Sequence, residues 1–125
     1  MPVVIDTSAW IEFLLGSPIG VKVRGRLPEV GDWVVPTMVQ LELQKWCLRE
    51  RDAQFAGRVI AFSNTCRVVW LDPQIAVMSA GVWREAKLAT ADAVIYATAR
   101  AHGATLLTCD RHFEGLEAAE VLGKP

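Results

Sequence analysis

The sequence predicts an α/β protein: a three-layer α/β/α domain built on a central, mostly parallel sheet of four to five strands. Two observations carry this. Short apolar runs alternate with stretches of helical period about ten residues or longer, the pattern of parallel strands joined by crossover helices. The runs are continuous rather than alternating, as in strands covered on both faces. At 125 residues, the chain reads as one domain, 1–125, long enough to bury a real core.

The first run, Val3-Val4-Ile5, is a strand that ends in Asp6-Thr7-Ser8. Ser8 offers an N-cap for a helix of about 8–15, stopped by Gly16 and Ser17-Pro18; Asp6 is the alternative cap. In segment 18–28, Val21, Val23, Gly25 and Leu27 alternate with Lys22, Arg24 and Arg26, a strand period. Gly31-Asp32 marks a turn, and Trp33-Val34-Val35 is the second strand, closed by Pro36. Thr37 and Gln40 have capping-box spacing for a helix to about Arg51. On it, Glu42 shares a face with Met38, Val39 and Trp46.

Asp52 caps the next helix, whose inward stripe is Phe55, Ala56, Val59, Ile60 and Phe62. A third strand covers Arg67 to Leu71, and Asp72-Pro73 opens a helix to about Lys87 with Ile75, Ser79, Val82, Trp83 and Ala86 inward. Thr90 or Ala91 starts the last long helix, which carries Asp92 in its first turn and ends at His102-Gly103. Residues 104–108 form a strand with Asp110 beyond its carboxyl end. A turn through Phe113 and Leu116 leads to a short edge strand at 120–122. Turns and caps account for Asp32, Asp52 and Asp72.

Composition narrows the function. Three widely spaced cysteines with no Cys-x-x-Cys fit neither a disulfide framework nor a zinc site, and suit a reducing compartment. No apolar stretch approaches the roughly 18–20 residues of a membrane span, and no signal peptide is visible, so a cytoplasmic location is expected. The net charge is −1, which disfavours a broad basic nucleic-acid face and favours a local site.

Four acids stand at places that can form one site. Asp6 and Asp110 follow strands, Asp92 opens a helix, and Glu42 lies on a buried helical stripe. In a parallel sheet, strand carboxyl ends and the following helix N-termini share one edge, so all four can converge. Two carboxylates about 5 Å apart repel by about 3 kcal/mol at an effective dielectric near 20. Four together require protons or a cation. Oxygen donors without His or Cys suit Mg²⁺ or Mn²⁺, and such a site can direct water at a phosphodiester while stabilising the leaving 3′-oxygen. An aspartyl-phosphate enzyme with Asp6 as nucleophile is the competing chemistry; it generally needs a lysine after a late strand, and none is present.

The ordered set Val4-Ile5-Asp6-Thr7-Ser8, Glu42, the stretch Asp92 to Ala99 and the stretch Gly103 to Phe113 resembles the PIN-domain ribonucleases, and within them the VapC-type toxins of toxin–antitoxin pairs. The resemblance covers essentially the whole chain. It implies an Mg²⁺- or Mn²⁺-dependent endoribonuclease with Asp6, Glu42 and Asp92 as the central acids and Asp110 as a more variable fourth. Asp6 and Asp92 are the leading metal ligands, Glu42 a ligand or the group orienting water. Thr7, Ser8 and Thr108 are expected to hydrogen-bond the carboxylates.

The resemblance further implies a helix over 18–28, a homodimer, and a VapB-type antitoxin whose tail fills the toxin groove and brings an Arg or Lys to the acids. Operator DNA is expected to be bound only through the antitoxin. Thr90-Ala91 stands where many relatives have Leu-Pro, and His112 where many have an acid. Arg84, Lys87, Arg100 and Arg111 are the candidate RNA-binding cations, and no catalytic histidine is expected. A housekeeping RNA-processing nuclease and a non-catalytic binding module are the alternatives within this family.

Overall fold

The computed structural model describes residues 1–123. Its elements are β1 (Val3–Ile5), α1 (Thr7–Leu15), α2 (Pro18–Arg26), β2 (Trp33–Pro36), α3 (Thr37–Glu50), α4 (Ala53–Ser63), β3 (Arg67–Val69), α5 (Pro73–Ala86), α6 (Thr90–Ala101), β4 (Thr105–Thr108) and β5 (Ala119–Val121), with single 3₁₀ turns before β2 and after β4. The five strands form one sheet in the order β3-β2-β1-β4-β5. Every pairing is parallel. Helices cover the sheet in the three-layer arrangement expected.

Strand order decides where a ligand can sit. From β1 the chain moves outward through β2 to β3, then returns across the sheet to β4 and β5. The order therefore reverses between β1 and β4, and the crevice beyond the carboxyl ends at such a switch point is the usual binding place in open α/β sheets. Register fixes the spacing there: Ile5 pairs with Leu107, and the Asp6 N–H donates to the Leu107 carbonyl at 2.8 Å. Asp6 and Thr108 therefore leave the sheet side by side.

The core explains why the sheet holds this shape. Val4, Ile5, Val34, Val35, Leu106 and Leu107 are fully or almost fully buried in its centre. Trp10, Phe13, Trp33 and Phe62 pack edge to face with centroids 5.7–6.2 Å apart, tying α1 and α4 to β2. Such pairs contribute about 0.5–1.5 kcal/mol each beyond the area they bury. The Trp10 indole N–H is buried without a hydrogen-bond partner among the described residues.

Several local expectations are corrected. Segment 18–28 is helical over Pro18–Arg26, as the resemblance implies and against the local strand period: Ser17 Oγ accepts from the Gly20 N–H at 2.9 Å and Pro18 occupies the first helical turn. Capping chemistry outweighs the alternation, and Val21 is left 65% exposed while Val23 is buried. Ser8 does not cap α1, because residue 6 is the N-cap and its side chain caps nothing. Thr37 begins α3 after Pro36 without a capping box; Gln40 instead donates to Ser63 Oγ and Asn64 Oδ1. Strand β3 stops at Val69 on the sheet edge. Trp83, read as inward, is 55% exposed, and Phe62 is 40% exposed although its ring packs on Trp10 and Trp33. The caps at Asp52 and Asp72 are as expected, accepting from Phe55 N and Ile75 N.

Gly20 sets how closely α1 and α2 approach. A Cβ there would lie 2.0 Å from the Glu12 carbonyl oxygen, a backbone atom that cannot swing away, whereas a Cβ on Gly25 would meet nothing within 4 Å. Gly20→Ala is expected to cost at least about 2 kcal/mol by overpacking. Gly25→Ala, inside the same helix, should be neutral or stabilise by up to about 1 kcal/mol. Denaturant unfolding of the two variants measures the contrast, and equal effects would show that the helices do not depend on this contact.

Candidate metal centre

The site is built at the reversal of strand order. Asp6 ends β1, Asp110 follows β4, Asp92 lies in the first turn of α6, and Glu42 projects from α3. Each is placed by a different part of the sequence, and all meet at one edge of the sheet. Asp6 is only 3% exposed. Its Oδ2 accepts from Ser8 Oγ and from Thr108 Oγ1, both at 2.7 Å. Ser8 Oγ in turn accepts from the Cys109 N–H at 3.0 Å, and Thr108 Oγ1 from the Asp110 N–H at 2.9 Å. Each hydroxyl has one proton, and giving it to Asp6 fixes the carboxylate and the β4 exit loop in a single network.

Glu42 is held separately, its Oε1 accepting from Thr7 Oγ1 at 2.6 Å. Asp110 Oδ1 caps the following 3₁₀ turn through the His112 N–H at 2.9 Å and lies 2.7 Å from His112 Nδ1. Ligand atoms of Asp92, Asp110 and His112 all fall within 4.8 Å of one another. Thr7, Ser8 and Thr108 therefore contact the carboxylates as expected. His112, read as a loop residue, joins the acid group; its position two residues after Asp110 was the available signal.

Electrostatics make the arrangement a coupled unit. The Asp92 carboxyl is pushed up to about 6 by burial first, then by Asp6, Asp110 and Glu42, with His112 opposing. Burial also raises Asp6, although Thr108, Ser8 and the Thr7 backbone act in the other direction. All three other acids act on Asp92, as one shared site requires. The donor set is mostly carboxylate oxygen, which suits a hard divalent ion. Cys109, beside the site, does not add a soft ligand: burial, Glu12 and Asp6 push its thiol up to about 11, so it stays protonated near neutrality.

The candidate RNA-binding cations separate. Arg111 lines a cavity of about 540 Å³ with Ser8, Ile11, Glu12, Ile19 and Cys109. Arg84 and Lys87 line a different groove with Trp83 and Leu88, next to the start of α6. Arg100 is eight residues along α6 from Asp92, roughly 12 Å away along the axis, and pairs with Glu117 at 3.4 Å. The structure does not bring Arg100 to the site. It does bring Lys45, Trp46 and Arg49, which share a groove with Thr7 and Glu42; of these only Trp46 was noted from sequence, as an apolar neighbour of Glu42 on its helical face. Their spacing from Glu42 on one helix was the signal.

Acids gathered at the switch point of a small parallel sheet mark the candidate site, and the comparisons identify the family of the fold. The PIN domain family matches residues 3–118, and the chain belongs to that family. No curated protein matches the chain. Its fold is similar to that of a chain in a toxin–antitoxin complex from Klebsiella pneumoniae, with 21% identity, TM-score 0.82, and 95% of this chain and 96% of that one covered. It is also similar to a chain of VapBC2 from Rickettsia felis bound to a promoter DNA fragment (15% identity, TM-score 0.76, 98% of each chain). A third similarity is to VapC20 of Mycobacterium tuberculosis, a Sarcin-Ricin loop cleaving toxin (18% identity, TM-score 0.66, 91% of each chain).

The raised Asp92 carboxyl gives metal-free protein a definite pH response. Between its ordinary value of 3.8 and about 6 the folded state holds a proton that the unfolded chain has released. Its contribution is complete below about pH 4 and is lost as pH rises through about 6. For this partly exposed group the loss is about 1–2 kcal/mol after solvent screening. In EDTA, thermal unfolding of the wild type should fall relative to Asp92→Asn across that window. Parallel pH curves for the two proteins would contradict the coupling.

Proposed function

We propose that this PIN domain is a divalent-metal-dependent endoribonuclease and the toxin of a toxin–antitoxin pair, restrained by a VapB-type antitoxin. The observation that carries the reading is the group of acids at the β1/β4 switch point, with Asp92 driven upward by burial and then by three neighbouring carboxylates. The toxin–antitoxin complexes among its structural neighbours support the partner; two of those structures contain promoter or other DNA, in keeping with operator binding through an antitoxin complex.

Asp6, Asp92 and Asp110 would hold Mg²⁺ or Mn²⁺, with Glu42 as a further ligand or the acceptor of a proton. When bound, the ion offsets the charge of the acids and stabilises negative charge developing on phosphoryl and leaving oxygens. The residues of the chain do the positioning. Ser8 and Thr108 keep the Asp6 carboxylate oriented through Oδ2, and burial excludes water from its back. Thr7 engages Glu42 Oε1, leaving Oε2 to accept the proton of the attacking water. Proton acceptance there and stabilisation of the leaving 3′-oxygen are both needed for hydrolysis of the diester.

Homodimerisation is part of the proposal. Trp70, Leu71, Val77, Met78 and Trp83 are exposed on the β3–α5 link and α5, Trp70 by 74% and Val77 by 77%, an apolar density that usually marks an interface. No helix among the described residues is long and apolar enough to cross a membrane, and an RNA substrate and three free cysteines agree with a cytoplasmic place of action.

Incubating purified protein with a mixed RNA pool tests the activity. Cleavage is expected with Mg²⁺ or Mn²⁺, none with EDTA, and none with Asp6→Asn or Asp92→Asn. Thr108→Val should lower metal affinity or rate about 10–100-fold. Cleavage surviving in EDTA and in both Asp variants would refute the assignment. Sedimentation of Val77→Asp beside the wild type tests the dimer: the variant should be monomeric, and an unchanged wild-type dimer would place the interface elsewhere.

A further inference from the structure

We propose that the face of α3 following Glu42 is a nucleotide subsite for single-stranded RNA, in which Lys45 and Arg49 take backbone phosphates and Trp46 stacks a base flanking the scissile bond. This rests on the nuclease reading above and extends it to substrate binding. A groove of about 200 Å³ is lined by Thr7, Ile11, Glu42, Lys45, Trp46 and Arg49. It is continuous with the metal centre because Thr7 and Glu42, hydrogen-bonded to each other, belong to both. Along the helix, Lys45 and Arg49 lie about 4.5 and roughly 10 Å beyond Glu42, so the two cations lead away from the acids in a line.

Charge explains why such a line is needed. Four carboxylates at the centre repel a polyanion, and a net charge of −1 provides no general attraction. Cations flanking the acids must therefore hold the backbone. Lys45 is exposed and makes no ion pair among the described residues. Arg49 pairs at 3.2 Å with its neighbour Glu50, side chains 64% and 50% exposed, a surface contact weak enough to yield to phosphate. Trp46 is half-buried against the core, which fixes the ring, yet it lines the open groove. An anchored indole between two cations suits a base and its phosphates, since stacking on aromatic rings is tolerant of sequence. A helical peptide would find one aliphatic side chain in the groove, Ile11, too little for an apolar stripe.

The test uses the full chain carrying Asp92→Asn, so that RNA is not consumed, and a short fluorescein-labelled single-stranded RNA of mixed sequence followed by anisotropy at several salt concentrations. Trp46→Ala should weaken binding about tenfold and Trp46→Phe should restore most of it. Lys45→Ala and Arg49→Ala should each reduce the slope of log affinity against log salt by about 0.7, while Arg67→Ala, at the start of edge strand β3, leaves it unchanged. Affinities and slopes unaffected by all three changes would overturn the subsite. So would a loss confined to Trp46→Ala and accompanied by a lowered Tm, which would make Trp46 a packing residue only. Loss of antitoxin binding with RNA affinity intact would assign the groove to a protein partner and overturn the proposal too. Cleavage of the same RNA by the chain with Asp92 restored is scored separately, so failure of the nuclease reading and failure of the subsite are distinguishable.

Discussion

The burial of carboxylates beside one another organises this domain. Asp6 is buried at the end of a central strand, where the ionised form loses most of its hydration, a loss costing several kcal/mol for an uncompensated charge. Two hydroxyl donors at 2.7 Å offset part of it. The rest appears as the upward shift on Asp6 itself, while Asp92 is raised by its own burial first and then by Asp6, Asp110 and Glu42. A protein evolved only for stability would replace such a group with apolar side chains. Retaining it makes sense where a divalent ion supplies the missing charge.

The scaffold is arranged to keep those carboxylates in place. The parallel pairing of β1 with β4 puts residues 6 and 108 next to each other, and the hydroxyl network ties both to the backbone of Cys109 and Asp110. On the other side of β1, the edge-to-face cluster of Trp10, Trp33, Phe13 and Phe62 fixes α1 against β2. Without that anchor the helix carrying Thr7 and Ser8 could shift, and both hydroxyls would lose their carboxylate partners. Stability is therefore concentrated in the layer beneath the site, leaving the strain of like charges at its surface edge.

Much of this was legible from residues alone. The buried runs at Val3–Ile5, Trp33–Pro36 and Thr105–Thr108 announce their strands because β-branched and aliphatic residues fill both faces. Asp52 and Asp72 announce helix starts through their cap spacing. What the local pattern missed was decided by capping and by tertiary contact, the helix at 18–26 being legible only through the resemblance. The alternation at 21–27 describes a helix whose exposed face happens to include Val21. Trp83 lies on a helical stripe yet faces outward, because periodicity defines a face but not what covers it. For the site, Asp6, Asp92 and Asp110 stood out by their places after strands and at a helix start, and Glu42 by sharing a helical face with apolar residues. His112, Lys45 and Arg49 were passed over although their spacing from Asp110 and Glu42 was a signal, and the folded chain shows that they border those acids.

The central claim is that Asp6, Glu42, Asp92 and Asp110 form one divalent-metal site. Titration calorimetry with Mn²⁺ on metal-free protein tests it most directly, comparing the wild type with Asp92→Asn and with Asp32→Asn, an acid that pairs with the chain's amino terminus far from the cluster. Saturable binding in the wild type and in Asp32→Asn, lost in Asp92→Asn, is the predicted result. Binding of equal strength in all three proteins would place the ion elsewhere and contradict the account.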